Sequence, residues 1–175
     1  LYCDGIIEDI SLQQKTARER EELIVELQTS MMFLNQPVKS ALTSMVSCNL
    51  NTPVSTAAQI MTDNSKSSIL ISSESGVMIG IVTDVVLRER VLVGALPPST
   101  PVYEVMSSPL IFIEDTALIF EAVLLLQEQG IKHLAVKDSK GDVVSVISNE
   151  ELLDVHRYSA AFLIEEIRTA ETVEE

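Results

Sequence analysis

Apolar positions along residues 37–157 fall into short runs separated by turn residues, not into one long period. Four runs, 67–72, 77–82, 132–137 and 142–147, have strand length and are rich in Val, Ile and Leu. Glu74-Ser75-Gly76 joins the first pair and Ser139-Lys140-Gly141 the second, each ending on a glycine that can take the positive φ of a hairpin turn. Helical spacing marks 53–64 and 117–129 before each pair, and 84–94 and 149–157 after it. Asp115 or Thr116 is expected to cap the helix at 117–129, and Gly130 to end it. A short helical turn (38–43; 102–107) and a short extended segment (45–48; 110–113) precede each of these blocks. ALPPSTP, 95–101, reads as the linker between them.

The two blocks are copies of one unit. GVMIGIVTDVVL (76–87) lies over GDVVSVISNEEL (141–152), 65 positions further on. The same offset places SILI (68–71) on HLAV (133–136) and TAAQIM (56–61) on EAVLLL (121–126). One residue of slip then brings PVKSAL (37–42) onto PVYEVM (101–106). Identities are few, but apolar falls on apolar, as expected when a repeated unit conserves its buried face. Each copy is a β-α-β-β-α unit too small to cover its own sheet. The expectation is an α/β fold of two such units packed about a pseudo-two-fold axis, with two clefts where strand ends meet helix starts.

Outside the repeat, Ile10, Ala17, Ile24 and Met31 recur at sevens along 6–34, with Leu27 and Leu34 beside them. This is an amphipathic packing helix or a weak coiled-coil seam, interrupted by Gln13 and Arg20. SAAFLIEEIRTAE, 159–171, reads as a second amphipathic helix. The expected organisation is a connector helix at 1–36, one repeat at 37–95, the other at 96–157, and a helix at 158–175 leading onward. The chain does not begin with methionine and reads as a piece of a longer protein.

Composition narrows the function classes. The 175 residues are 46% hydrophobic but only 4% aromatic, with no tryptophan, which suits an aliphatic core of sheets covered by helices. The formal charge is −14, from 12 basic and 26 acidic residues. No basic stripe is present for nucleic acid, and an anionic membrane would repel such a chain. No apolar run is long enough to span a bilayer. Cys3 and Cys48 lack metal-ligand or disulfide spacing and read as free thiols of a reducing cytosol, so the expected location is cytoplasmic.

The candidate chemistry sits at MIGIVTDVVLRER, 78–90. A strand running through a hydroxyl into a helix can hold a phosphate at the helix start. No catalytic constellation is visible: His133 and His156 have no triad spacing, and no metal-site or nucleotide-loop motif appears.

Several of these segments resemble a tandem pair of CBS domains, a Bateman module: Pro101-Val102, Val105-Met106-Ser107, Glu121-Ala122, Ile131–Asp138, and Gly80-Ile81-Val82-Thr83-Asp84. The resemblance covers 37–157. LRERVLVGALPPSTPVYEVMSSP (87–109) and HRYSAAFLIEEIR (156–168) are further similar to bacterial signal-transduction proteins. In those, a cyclic-nucleotide-binding-like domain precedes the pair and a nucleotidyltransferase-like domain follows it.

The resemblance implies binding of adenosyl ligands such as AMP, ATP or S-adenosylmethionine, and regulation of a neighbouring domain. The family word is glycine, two apolar residues, Ser or Thr, two variable residues, then Asp. The hydroxyl meets a phosphate and the acid takes the ribose hydroxyls. In copy one Thr83 keeps the hydroxyl, while Val86 stands at the acid's position. Asp84 lies two residues early and reads as a charge complementing the helix dipole. In copy two Ser148 keeps the hydroxyl, Glu151 keeps an acid one methylene longer, and Ser145 replaces the glycine. Lys132 and His133 are placed to face phosphate across the cleft, and Arg88 to reach one from copy one. Glu151 reads equally as a solvated helix residue, His133 as a half-buried surface residue, and Arg88 as a surface ion-pair partner.

The leading expectation is a regulatory module with no catalytic residues, no metal and no required cofactor, binding an adenine nucleotide near Ser148, Glu151, Lys132 and His133. The alternative is a ligand-free dimerisation or spacer module. Leu118, Phe120, Leu124 and Leu125 on the helix at 117–129 suggest a homodimer formed through that helix.

Overall fold

A computed structural model describes residues 3–155, with side chains from Lys15 onward. After the helix α1 (Cys3–Leu34), the chain runs through β1 (Ser47–Asn49), α2 (Val54–Asp63), β2 (Ser68–Ser72) and β3 (Met78–Thr83). Then comes α3, a turn of α-helix at Asp84–Val86 that widens into π-helical turns over Leu87–Val93. The second copy follows: β4 (Phe112–Glu114), α4 (Ile119–Gln129), β5 (His133–Lys137), β6 (Val143–Ser148) and α5, helical over 149–155. Two β-α-β-β-α repeats with an N-terminal helix are therefore present, as the hydrophobic pattern predicts. The expected helix at 159–171 lies outside the described residues.

Each repeat carries a three-stranded sheet, in the orders β1-β2-β3 and β4-β5-β6. The first pair of each sheet is parallel and the second antiparallel. Their registers coincide at the 65-residue offset. Ser47 pairs with Leu70 and Phe112 with Ala135; Ser68 pairs with Thr83 and His133 with Ser148. Even the bulge repeats, between Ile71 and Ser72 and between Val136 and Lys137. Gly76 and Gly141 hold φ of 84° and 85° in the hairpin turns. Gly130 ends α4 in the left-handed conformation at φ 62°. In copy one the matching residue is Ser65, forced to φ 52° without glycine's freedom.

The start of α4 differs from the expectation. The helix begins at Ile119, after Leu118, so neither Asp115 nor Thr116 caps it. Glu121 instead reaches back to accept the Leu118 N–H at 2.7 Å. The Asp115 carbonyl is occupied elsewhere, accepting the Lys39 N–H.

That bond belongs to an exchange the hydrophobic pattern did not reveal. The 3-10 turn opening each copy, Val38–Ala41 or Val102–Glu104, is bonded to the other copy. Val38 and Lys39 donate to Ala117 and Asp115, and Val102 and Tyr103 donate to Thr52 and Leu50. Burial follows the same route. Val102 and Val105 complete the copy-one core with Val54, Ala57, Met61, Ile69, Ile71 and Val82. Their counterparts Val38 and Ala41 are buried too, as are Ile119, Ala122, Leu126, Leu134, Val136 and Ile147 of copy two. An isolated unit would leave these apolar faces wet. Exchange of the opening turns covers both, and Pro37–Leu152 forms one compact unit. The linker contributes as well: the carbonyls of Thr100 and Pro98 accept the N–H groups of Val54 and Ser55, which the first turn of α2 leaves without helical partners.

In α1, Ile24, Leu27 and Met31 of the amphipathic stripe are exposed, while Leu34 is half-buried. On α4, Leu118, Phe120 and Leu124 also remain exposed. No helix among the described residues is long and apolar enough to cross a membrane.

Candidate functional site: the cleft between the repeats

The end of β6 and the start of α5 place Ser148 and Glu151 side by side. Ser148 Oγ accepts the Glu151 N–H at 3.2 Å, and Glu151 Oε2 accepts from the Ser148 N–H at 3.1 Å and from its hydroxyl at 3.2 Å. This reciprocal capping box follows from Ser-x-x-Glu spacing at a helix start. The other carboxylate oxygen turns toward copy one. Oε1 accepts from Thr43 Oγ1 at 3.1 Å and lies 3.6 Å from Lys66 Nζ. Lys66 Nζ also donates to Thr43 Oγ1 at 3.3 Å. Lys66 and Glu151 are partly buried, with side chains 18% and 30% exposed, so solvent screens this pair less than a fully exposed one.

Lys66 and Glu151 line a cleft in which residues 44–46 and 66–68 of copy one face Val146 and Glu151 of copy two. The crossing segment is held there by Ser145. Its hydroxyl donates to the Thr43 carbonyl at 2.8 Å and accepts the Thr43 N–H at 3.2 Å. In copy one the corresponding position is Gly80, where Ile81 and Ser107 exchange backbone bonds directly. A Cβ on Gly80 would meet Met106 Sδ at 2.5 Å and the Ser107 carbonyl at 3.1 Å. The glycine and the serine are two solutions to one crossing: close backbone approach, or a hydroxyl bridging a wider gap.

Copy one presents a different helix start. Thr83 Oγ1 accepts the Val86 N–H at 3.2 Å, and Asp84 Oδ1 accepts the Val85 N–H at 2.8 Å. Val86 packs against the copy-one core. That accounts for a valine at this position: the side chain serves the interior. Arg88 is exposed. Its neighbour Arg90 donates from Nη1 to the carbonyls of Val105 and Met106, at 2.7 and 3.0 Å, pinning the exchanged turn.

Lys132 is exposed, and it is not among the residues lining the Glu151 cleft. His133 is half-buried, with Nε2 3.0 Å from Ser67 Oγ across the repeats. Burial lowers its pKa, against the opposing charges of Asp84, Glu151 and Glu150. Burial likewise pushes up the pKa of the free Cys48 thiol, with a hydrogen bond to Thr52 opposing it. Among the described residues, no group of three or more His, Cys, Asp or Glu is placed to hold a metal ion.

Comparison with known proteins decides what this architecture is. The CBS domain family matches residues 38–92 and 102–158, well over half of the chain. The chain belongs to the CBS domain family. An uncharacterized protein of Methanopyrus kandleri is 31% identical over 120 residues, covering 66% of this chain. The chain spans only 61% of the length of that relative. An uncharacterized conserved protein from Pyrococcus horikoshii has the same CBS-pair fold, with a TM-score of 0.66 and 25% identity over 71% of this chain and 94% of its own. A CBS domain protein from Pyrobaculum aerophilum, complexed with AMP, matches at a TM-score of 0.62 and 17% identity, over 66% of this chain and 89% of its own. The CBS domain pair of protein MJ0100, in complex with 5′-methylthioadenosine and S-adenosyl-L-methionine, matches at 0.61 and 18%, over 69% and 98%.

Thr43 and Lys66 escaped the reading of the CBS pattern. The 65-residue offset held a signal for one of them: Lys66 falls on Ile131, a charge where the other copy is apolar. Nothing local marks Thr43, whose partner lies 108 residues away.

Proposed function

We propose that this chain is a regulatory CBS pair that binds an adenosyl ligand in the cleft carrying Ser148 and Glu151, and that binding is passed to a neighbouring domain. One observation carries the reading. Glu151 stands at the family's ribose-acid position, at the edge of a cleft between repeats, with its Oε1 turned toward the opposite wall. A carboxylate so placed can accept both hydroxyls of a ribose. AMP, ATP and S-adenosylmethionine are the candidate ligands; the AMP complex of the Pyrobaculum protein and the adenosyl complexes of MJ0100 support that class.

Ser148, Thr83, Asp84, Arg88, Lys132 and His133 complete the proposed set of binding residues around the two helix starts. In this reading the chain performs no catalysis, and it is the cytoplasmic sensory part of a bacterial signalling protein. A cyclic-nucleotide-binding-like domain precedes it and a regulated nucleotidyltransferase-like domain follows it. Two copies associate through α4, where Leu118, Phe120 and Leu124 are exposed.

Calorimetric titration with AMP, ATP and S-adenosylmethionine tests the proposal. Heat and a raised melting temperature are expected for at least one of them; no heat and no thermal shift at millimolar ligand reject it. A second reading, a ligand-free dimerisation module, is favoured by Val86 facing the core and by Ser148 and Glu151 capping each other. It expects a stable dimer in sedimentation that no nucleotide affects.

A further inference from the structure

We propose that Lys66 makes the cleft selective for adenosyl ligands that carry a negative charge, by exchanging its ion pair with Glu151 for the ligand's anionic group. This rests on the adenosyl reading and names the charge class it takes.

Lys66 is the one cation among the residues lining the cleft. One backbone donor of that helix start is already engaged, because Ser148 Oγ takes the Glu151 N–H. Lys66 is the side chain that can supply a charged donor from the opposite wall. The carboxylate oxygen a ribose needs already has partners. A hydroxyl that donates to Glu151 Oε1 competes there with the Thr43 hydroxyl at 3.1 Å and with the Lys66 ammonium at 3.6 Å.

The freed ammonium then decides the charge preference. A cation only 18% exposed is costly to leave unpaired. An anionic ligand restores its partner with a charge-assisted hydrogen bond. A neutral ligand leaves it unpaired, and a sulfonium adds repulsion. A local cation matters all the more in a chain of net charge −14, which repels anions at long range. The device is peculiar to this cleft, since the residue 65 positions on is Ile131.

The test is calorimetry on the whole chain with AMP and with uncharged 5′-methylthioadenosine, at two salt concentrations. AMP is expected to bind at least about tenfold more tightly, the effect of one hydrogen bond to a charged group, and to weaken with added salt while 5′-methylthioadenosine does not. Lys66→Gln is expected to abolish the preference by weakening AMP alone, and Lys66→Arg to keep it. Equal wild-type affinity for the two ligands, an AMP affinity indifferent to salt, or unchanged AMP binding by a folded Lys66→Gln overturns the inference and leaves the adenosyl site standing. Binding of neither ligand, with ATP and S-adenosylmethionine also silent, overturns both. The salt comparison needs only the wild-type chain, so it decides the matter even if Lys66→Gln fails to fold.

Discussion

The two strand-to-helix junctions of this CBS pair share a strand register and differ in chemistry. Val86 of copy one corresponds to Glu151 of copy two, and Ile131 of copy two to Lys66 of copy one. Valine at 86 extends the copy-one core, while glutamate at 151 joins a polar network reaching across to Thr43 and Lys66. The strand registers are the same in both copies, bulge included. Duplication therefore constrained the two cores tightly, because a changed volume or register there costs several kcal/mol. It left the helix starts free to diverge, one side chain turning inward at Val86 and its counterpart Glu151 reaching across to the other copy.

The comparison can be broken first at the cores. Ile69 and Leu134 are equivalent and fully buried. Ile69→Ala and Leu134→Ala are each expected to cost about 3 kcal/mol, within about 1 of one another, in a single denaturant transition. A large inequality, or two separate transitions, would mean that the exchanged turns do not bind the copies into one cooperative unit.

The crossing segments give a smaller effect. Gly80→Ala pushes a Cβ against Met106 and the Ser107 carbonyl; the thioether can swing aside but the backbone cannot, for a loss of about 2 kcal/mol. Ser145→Gly strips the hydroxyl that serves both the N–H and the carbonyl of Thr43, for about 1 kcal/mol. Chemical denaturation of both variants checks this. A Gly80→Ala protein as stable as the wild type would refute the direct backbone crossing in copy one.

His133 sharpens the comparison through pH. Its folded pKa is lowered, so the folded state resists a proton that the unfolded chain takes up near pH 6.5. The neutral ring's contribution is present in full above that pH. It is lost as pH falls from there through the lower folded value. His133→Gln retains a partner for Ser67 and is expected to flatten the difference in melting temperature across pH 5 to 8. An unchanged pH profile would show that His133 is not held neutral. The smallest effect is at Ser65, where relief of the left-handed strain slightly outweighs glycine's greater freedom when unfolded, so Ser65→Gly should gain about 0.5 kcal/mol. A loss instead would show that Ser65 and Gly130 are not equivalent.

Much of this was legible beforehand. Apolar runs of strand length, glycines where turns need positive φ, and the 65-residue echo foretold both sheets and their hairpins, while the family came from the resemblance of segments such as Gly80–Asp84 to CBS domains. Ser148 and Glu151 were legible as neighbours because Ser-x-x-Glu spacing is local. What they do for one another was less so: both act as caps before any ligand arrives. The start of α4 was misplaced because Glu121, a side chain inside the helix, supplies the cap expected from Asp115 or Thr116.

The amino-acid order alone determined the elements and their duplication, because periodicity and turn geometry act over a few residues. The exchange of opening turns, the choice between Gly80 and Ser145 at the crossing, and the meeting of Thr43, Lys66 and Glu151 were decided only in three dimensions. The network joins residues 23 and 108 positions apart. No local preference encodes such a meeting. It exists because burying two half-covered cores at once leaves the chain one economical way to cross itself.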